Sequence, residues 1–489
     1  MGGRSTLNCE RKLSNCWGNS IIAMFAEIIF HPLYFSAITT LMRNIIHLIR
    51  IAFTLAWHDA LFPLKLLKLP PLNWLLYIFR RPRLSQTQGQ KLAKAFVALG
   101  PTFIKLGQVL STRSDLVGED IAKELAALRD QLEPFETKIA HKIIAAELGV
   151  VDFIDFEEKP VAAASIAQVH FAKLPSGQEV AIKILRPEIE KKFERDIQLF
   201  LWIAQVIEKR NPSYAKRLRP IEVVNTLHES VKFELDLRME AAAASELKQN
   251  FAHYSGFYVP EIYWKYVSKR VLVLERVQGI KIDEREELLK AGHNPDKILE
   301  IAAKSLFKQV FDDGFFHADL HPGNILVQKN GSIALLDFGI IGILPTKDRF
   351  AIAEILYGFI KKDYKLVADI HLKVGYIPKN TNLELFAQSI RAIAEPIVGL
   401  AIKDISIGNL LASLFKVTEQ YGMETQPQLL LLQKTIVVVE GIGQSLDPEI
   451  NMWQLAEPWI KKWAAKNLTP EAKLLRIAKK FINRIAEDL

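Results

Sequence analysis

The stretch His317-Ala-Asp-Leu-His-Pro-Gly-Asn324, followed by Asp337-Phe-Gly339, decides how this chain is read. Between the two lie the apolar runs Ile325-Leu-Val327 and Ile333-Ala-Leu-Leu336, separated by Asn330-Gly331. That dipeptide is a strong two-residue hairpin signal. A type I′ turn there sets Asn324 opposite Asp337 and closes the open end of one hairpin with two oxygen ligands. Together with Asp319 just upstream, this is the donor set that a hard cation bridging nucleotide phosphates requires. Asn324 and Asp337 are thus the expected magnesium ligands, and Asp319 is the candidate base. A lone Asp-Phe-Gly says little; the spaced combination carries the inference. His317 and His321 have a spacing that invites zinc, but Pro322-Gly323 indicates a loop and no Cys is near. His317 is expected to orient the loop backbone instead.

A phosphate anchor should lie upstream. Val180-Ala-Ile-Lys183-Ile-Leu185 alternates, and it follows Gln168-Val-His-Phe-Ala172 and a Pro175-Ser-Gly177 turn. This predicts a hairpin with Lys183 on its inner face, within reach of nucleotide phosphates. Taken alone, such a lysine is usually solvated. A partner is available in Glu240, within a helical run expected from about Ile221 to Gln249. A strand-to-helix Lys–Glu ion pair is the positioning device that phosphoryl transfer uses.

These residues resemble the protein kinase-like superfamily, and more narrowly the UbiB family, also called ABC1 or ADCK atypical kinases. Four further segments carry the resemblance across about residues 85 to 345. Phe103-Ile-Lys105-Leu-Gly-Gln108 matches the family's Lys-x-Gly-Gln motif, in an extension before the kinase-like domain. Pro160-Val-Ala162-Ala163-Ala164-Ser165-Ile166-Ala167-Gln168 stands where ordinary kinases have a glycine-rich loop. Glu234-Leu-Asp236 is similar to the Glu-x-Asp motif, with Glu240 following at the family's spacing. Val271-Leu-Val-Leu-Glu275 to Gly279 looks like the strand and hinge joining two lobes.

The resemblance implies site roles residue by residue. Lys183, Glu240 and Asp319 would act in catalysis. Ala162, Ala163, Ala164, Ser165, Ile166, Ala167, Gln168, Val169, Lys183 and Glu275 would contact ATP, and Asn324 and Asp337 would bind Mg2+. Lys105, Gln108, Glu234 and Asp236 would gate the pocket, with the extension lying over it. Lys105 and Gln108, three apart, share one helix face and can reach a common partner.

Two features bear on the phosphate acceptor. Ala162 to Ala164 restrict the backbone freedom that glycines give a phosphate loop, and in the family this substitution is taken to disfavour ordinary protein phosphorylation. After Gly339 the chain runs Ile340-Ile-Gly-Ile-Leu-Pro345 and enters a helical pattern at about Lys347, with no Ala-Pro-Glu motif. Little chain remains to cradle a polypeptide, so a small molecule, a lipid or water is the expected acceptor.

The chain has 489 residues, 49% of them hydrophobic, and a formal charge of +8. Residues 1–100 carry net +9 and residues 461–489 net +5, leaving −6 for the remainder. Basic ends around an acidic body suit an anionic lipid surface better than a nucleic-acid groove. Thr469-Pro470 starts a helix with Leu474, Ala478, Phe481, Ile482 and Ile485 on one face and basic residues flanking it, downstream of Trp453, Trp459 and Trp463. It fits an interfacial helix, or one packed on the kinase-like body. Nothing after residue 450 is apolar enough to span, although many bacterial relatives end in paired transmembrane helices. Ile21 to Leu41 is a transmembrane candidate interrupted by Glu27, His31 and Pro32, or else a leader from a misassigned start codon; it lacks a cleavage site for secretion. Cys9 and Cys16 are the only cysteines, so neither a disulfide framework nor a metal cluster is supported. From about Arg349 to Gly443 the pattern is helical, with Leu429 to Leu432 expected in the core.

The sequence therefore predicts an α+β, bilobal kinase-like fold. Its parts are a membrane-proximal region (1–83), a helical extension (84–150), an N-lobe (151–277), a C-lobe (278–450) and a basic tail (451–489). The expected activity is Mg-ATP hydrolysis or phosphoryl transfer. By resemblance this supports ubiquinone biosynthesis at a bacterial inner membrane facing the cytoplasm, or at a mitochondrial inner membrane. Expected partners are membrane lipids, isoprenoid quinone precursors, other enzymes of that pathway and a second copy of the chain. The alternatives are a small-molecule phosphotransferase, since aminoglycoside and choline kinases carry a similar loop, and a nucleotide-binding scaffold.

Overall fold

The computed structural model describes residues 32–61, 81, 85–111, 117–126, 128, 132–210, 219–398, 406–423, 426–447 and 452–467. The chain forms two compact units, Met1–Leu132 with Glu188–Val231, and Glu133–Pro187 with Lys232–Leu489. Residues 188–231, assigned by the sequence to the N-lobe, thus group with the extension. The reason is packing. Helix Ile189–Arg210 lies against helix Pro101–Ser111, Phe103 meets Phe200 edge-on at 5.1 Å, and the buried Thr102 hydroxyl donates to the buried Asp196 carboxylate at 2.6 Å.

In this first unit a reciprocal cap starts helix Gln88–Leu99. The Gln90 amide donates to Thr87 Oγ1 at 3.2 Å, and the Gln90 side chain accepts from the Thr87 amide at 3.4 Å. Gly100, at φ +103°, turns the chain into the Pro101–Ser111 helix. That helix carries Lys105, Gly107 and Gln108. A Cβ on Gly107 would strike Leu128 and come within 2.9 Å of Phe96 Cδ2. Glycine there lets the helix lie close to its neighbours.

The second unit holds the sheets. Strands β1 (Ala162–Ala163), β2 (Ala167–Lys173), β3 (Glu179–Leu185) and β5 (Val271–Glu275) form one antiparallel sheet in the order β1-β2-β3-β5. Alternation along β3 puts Val180, Ile182 and Ile184 into a core with Ala140, Ile143 and Ile144 of helix Thr137–Leu148, and with Val271 and Val273. Burying each such branched side chain contributes about 1.5–3 kcal/mol. Lys183 must then point to the opposite face, in register with Val169 on one side and Leu272 on the other. A second sheet has the order β4-β9-β8-β6, from Phe257–Tyr258, Ile333–Leu335, Ile325–Val327 and Ile280–Lys281. A third pairs β7 (Phe315–His317) with β10 (Ile341–Ile343).

Two sequence expectations require correction. The hairpin register is Ile325↔Leu335 and Val327↔Ile333, and the Leu336 amide donates to the Asn324 carbonyl at 3.0 Å. Asn324 therefore faces Leu336, one residue short of Asp337. A type I′ turn needs positive φ at both central residues. Only Gly331 has it, at +84°, while Asn330 keeps ordinary φ and accepts from the Ser332 amide through Oδ1 at 2.9 Å. The loop accordingly spans Lys329-Asn330-Gly331, closed by the Gln328 amide donating to the Ser332 carbonyl at 2.8 Å. The second correction concerns the run from Ile221 to Gln249. It forms two helices, Pro220–Glu234 and Leu237–Asn250, because Asp236 caps the second by accepting from the Arg238 amide at 3.2 Å.

Beyond β10 the chain passes directly into helix Thr346–Ile360, as expected. Helices Tyr364–Val374, Leu383–Val398, Ile407–Gln420, Pro427–Leu446 and Met452–Asn467 follow. Among the described residues one helix, Pro427–Leu446, is long and apolar enough to cross a membrane by length and composition. Leu429 and Leu432 are buried in it, as the core assignment requires. Of the tryptophans read as interfacial, Trp459 stacks near Phe307 and Phe311 at 5.4 and 5.2 Å, and Trp463 packs on Phe350 at 5.0 Å. Both are core contacts. The Trp453 side chain, the Thr469–Ile485 segment, Cys9, Cys16 and residues 21–31 lie outside the described residues, and Pro32 opens helix Pro32–Trp57.

Candidate nucleotide site

Lys183, Glu240 and Asp337 meet at one point of the second unit. The Lys183 ammonium donates to Glu240 Oε1 at 2.7 Å and to Asp337 Oδ2 at 2.9 Å. Strand alternation supplies the lysine, and the first turn of helix Leu237–Asn250 supplies Glu240. Lys183 and Glu240 are largely buried, with side-chain exposures of 11% and 7%, whereas Asp337 keeps 42% of its side chain accessible.

One ammonium therefore serves two carboxylates, which leaves a surplus negative charge. Burial works against the Lys183 charge, but the Asp337 and Glu240 carboxylates outweigh it and hold the ammonium above its usual range. Burial pushes the Glu240 carboxyl up to about 7; Lys183 opposes the shift and Asp337 adds to it. Burial also acts to raise Asp337, yet Lys183 and the Gly339 amide prevail and hold it well below the usual carboxylate range. The Gly339 amide donates to Asp337 Oδ1 at 2.9 Å, and the Phe338 amide to Glu240 Oε1 at 3.4 Å. Glu240 thus holds both the lysine and the Asp-Phe-Gly backbone.

His317 joins the two motif loops. Its Nδ1 accepts from the Asp319 amide at 3.2 Å, and its Nε2–H donates to the Asp337 carbonyl. With both nitrogens used and burial pushing its pKa down, the ring is a neutral brace. The His321 ring turns to the Gly323 amide at 3.0 Å. Among the described residues no group of three His, Cys, Asp or Glu side chains is placed to hold a metal. Asp337 and Asn324 are the residues that would hold magnesium, and the Asn324 side-chain amide makes no hydrogen bond among the described residues.

The alanine-rich loop is a hairpin turn in which the Ala164 amide donates to the Ala167 carbonyl at 2.7 Å, with no positive φ among its residues. Arg186, which the sequence reading missed, pins it. Its Nε and Nη2 donate to the Ala164 carbonyl at 3.0 and 2.8 Å, and its backbone amide to the Ile166 carbonyl at 2.8 Å. Ser165 is fully buried there and its hydroxyl has no hydrogen-bond partner. Such an orphaned donor is costly unless something else receives it, and a nucleotide phosphate would. With the surplus negative charge beside Lys183, it makes the residues present a fit for a magnesium nucleotide.

Three other expected contacts, Gln168, Glu275 and Asp236, have their side chains engaged elsewhere. Gln168 lies on the far face of β2, its amide spent on the Phe135 backbone at 3.0 and 3.3 Å and on His170 at 2.8 Å. The Glu275 carboxylate accepts from the Tyr258 hydroxyl at 2.6 Å and the Glu261 amide at 3.0 Å. Asp236, expected to gate, is a helix cap also held by Arg238 Nε and Nη2 at 2.8 and 2.6 Å. Glu234 ends the preceding helix. Lys105, 6% exposed, and Gln108 sit on helix Pro101–Ser111 of the first unit. Val169 shares the Lys183 face. Asp319 Oδ1 accepts from Lys434 Nζ at 3.0 Å, a contact the sequence reading did not foresee.

Residues 127–371 match the ABC1 atypical kinase-like domain, and residues 390–451 match the UbiB helical domain. A Marinobacter nauticus protein named probable protein kinase UbiB is 41% identical over 442 residues, covering 88% of this chain and 80% of its own. The chain belongs to the UbiB family. A Pseudomonas fluorescens relative of the same name is 38% identical over 456 residues, 90% of this chain and 84% of that one. Among solved structures the chain is similar to Rv3197 of Mycobacterium tuberculosis in its erythromycin complex. There the TM-score is 0.49 at 21% identity, over 71% of this chain and 85% of that one. The kinase-like fold expected of a UbiB protein is the one found, with its helical region following the sheets.

Proposed function

We propose that this UbiB protein binds Mg-ATP between Lys183, Ser165 and Asp337, and hydrolyses it or transfers its γ-phosphoryl group to a small or lipid acceptor. It would do so at a membrane, in support of ubiquinone biosynthesis and in company with other enzymes of that pathway. The observation that carries the reading is the ion pair of Lys183 with Glu240 at 2.7 Å, with Asp337 at 2.9 Å on the same ammonium. Phosphoryl transfer is catalysed mainly by positioning and charge stabilisation, and this cluster provides both. Lys183 would hold phosphate oxygens and Glu240 would keep Lys183 in place. Asn324 and Asp337 would hold magnesium, which supplies neutralisation of phosphate charge when bound, and Asp319 would orient the acceptor and take its proton.

Three features support a lipid-side acceptor. The post-Gly339 segment is consumed by β10 and the next helix. The chain's ends carry net +9 and +5. Along helix Pro32–Trp57, Met42, Ile46, Ile49 and Phe53 recur at helical spacing and are 59%, 64%, 55% and 42% exposed, an apolar stripe suited to a lipid interface. Isoprenoid quinone precursors at the bacterial inner membrane, approached from the cytoplasm, are the substrates this combination favours.

The test is Mg-ATP turnover by the purified chain with and without vesicles of anionic lipid, beside Asp337→Asn. Turnover that rises with vesicles and vanishes in the variant is expected. Equal inactivity of the two proteins, with nucleotide still bound, would instead make the chain a nucleotide-binding scaffold.

A further inference from the structure

Helix Pro427–Leu446 is largely apolar and carries two charges, Lys434 and Glu440. Leu429, Leu432, Ile436, Val439 and Ile442 are buried. Glu440 accepts from the Ser406 hydroxyl at 2.7 Å and the Ile407 amide at 2.6 Å, capping helix Ile407–Gln420. Lys434 turns the other way. Its ammonium lies 3.0 Å from Asp319 Oδ1, across 115 residues of sequence.

The pair is half-exposed, 43% and 39% by side chain, and such ion pairs contribute little to folding, about 0–1 kcal/mol. Its location gives it meaning. Asp319 is the residue proposed to face the acceptor, and its Oδ2 receives no bond from the described residues. An ammonium on Oδ1 fixes the rotation of the carboxylate and leaves one oxygen to the acceptor.

We propose that Lys434 is a positioning residue for the reaction, acting through Asp319, so that the UbiB helical domain completes the kinase-like site. This rests on the phosphoryl-transfer reading above. In the step concerned, the acceptor oxygen attacks the γ-phosphorus while its proton passes to Asp319 Oδ2. The bond from γ-phosphorus to the bridging oxygen breaks, and ADP leaves with the electron pair. Lys434 neither gives nor takes a proton.

The experiment measures Mg-ATP turnover, nucleotide affinity and melting temperature of the full chain for Lys434→Met, Lys434→Arg, Asp319→Asn and the double variant Lys434→Met/Asp319→Asn. Positioned proton transfer is worth about 10²–10⁴-fold. Losing the orienting charge should lower kcat by about 10- to 100-fold, with affinity and melting temperature unchanged, and Lys434→Arg should restore most of the loss. In the Asp319→Asn background the Lys434→Met effect should disappear, because residues acting as a unit are non-additive. Wild-type kcat in Lys434→Met overturns the proposal while leaving the phosphoryl-transfer reading intact. The same fold-loss in both backgrounds, or a fall in melting temperature that tracks the loss, also overturns it. A wild-type chain that binds Mg-ATP without turning it over overturns both readings together.

Discussion

Two regions of this molecule bury ionisable groups and settle them in opposite ways. In the candidate nucleotide site Lys183, Glu240 and Asp337 answer one another, side chain to side chain, at 2.7 and 2.9 Å. In the helical end, groups of the same kind are answered largely by backbone. His371, 2% exposed, donates from Nδ1 to the Val367 carbonyl at 2.8 Å, and Glu440 accepts the Ile407 and Gly408 amides at 2.6 and 3.3 Å. Burial pushes both glutamates up, Glu240 to about 7. Backbone partners cannot leave, so the helical end is fixed, whereas an ammonium shared by two carboxylates can exchange one of them for a phosphate oxygen. The difference separates a fixed scaffold from a cluster that can exchange partners.

The sharpest way to break this comparison is Glu240→Gln. A carboxyl that titrates near 7 is already easily neutralised, so the amide should shift folding stability by less than about 1 kcal/mol. An amide holds the Lys183 ammonium less firmly than a carboxylate, so turnover should fall by about 10²-fold, equivalent to about 2.7 kcal/mol of transition-state stabilisation. A variant that unfolds more readily but works normally would make the cleft another scaffold.

The next effect belongs to His371, whose pKa burial lowers to about 4. A folded-state pKa below the ordinary 6.5 means that the unfolded chain binds the extra proton first. The associated stability is full above pH 6.5 and drains as pH falls toward 4. Denaturant unfolding at pH 7 and pH 4.5 should differ by about 2–3 kcal/mol more in wild type than in His371→Gln. Equal slopes would show that the ring is not held neutral.

The smallest effect separates the two ends of one carboxylate. Glu440→Ala strands the Ser406 hydroxyl and two amides, and should cost about 1–2 kcal/mol of stability with turnover per folded molecule unchanged. Glu440→Gln keeps an acceptor oxygen and should cost less than about 1 kcal/mol. Calorimetric melting of both variants ranks them, and equal losses would mean that charge rather than capping matters there.

What the sequence disclosed follows the reach of each signal. Alternation along β3 located Lys183 because one face had to meet Ile143 and Ile144, and Glu240 followed from its place after Glu234-Leu-Asp236. The hairpin register did not follow, since Asn330-Gly331 serves a two-residue turn and a three-residue loop equally, and only the φ of Asn330 decides between them. Asp236 carried a signal that was misread: an Asp before Leu-Arg-Met-Glu240 is an N-cap pattern, and it ends the long helix drawn through it. Arg186 and Lys434 had no local signal. One pins a loop by its carbonyl and the other arrives from a distant helix, and neither contact leaves a periodicity to read.

The strand after Gly339 has a consequence for how this chain can vary over time. Ile341, Gly342 and Ile343 pair with His317, Phe316 and Phe315, and a Cβ on Gly342 would come within 2.7 Å of Phe316 Cε2. Insertions there break strand pairs, and almost any replacement of the glycine displaces a ring beside the His317 brace. A lineage starting from this arrangement has no gradual path to a long, phosphorylatable segment at that position. Control of such a protein would have to evolve elsewhere, in where it resides and in what reaches its cleft.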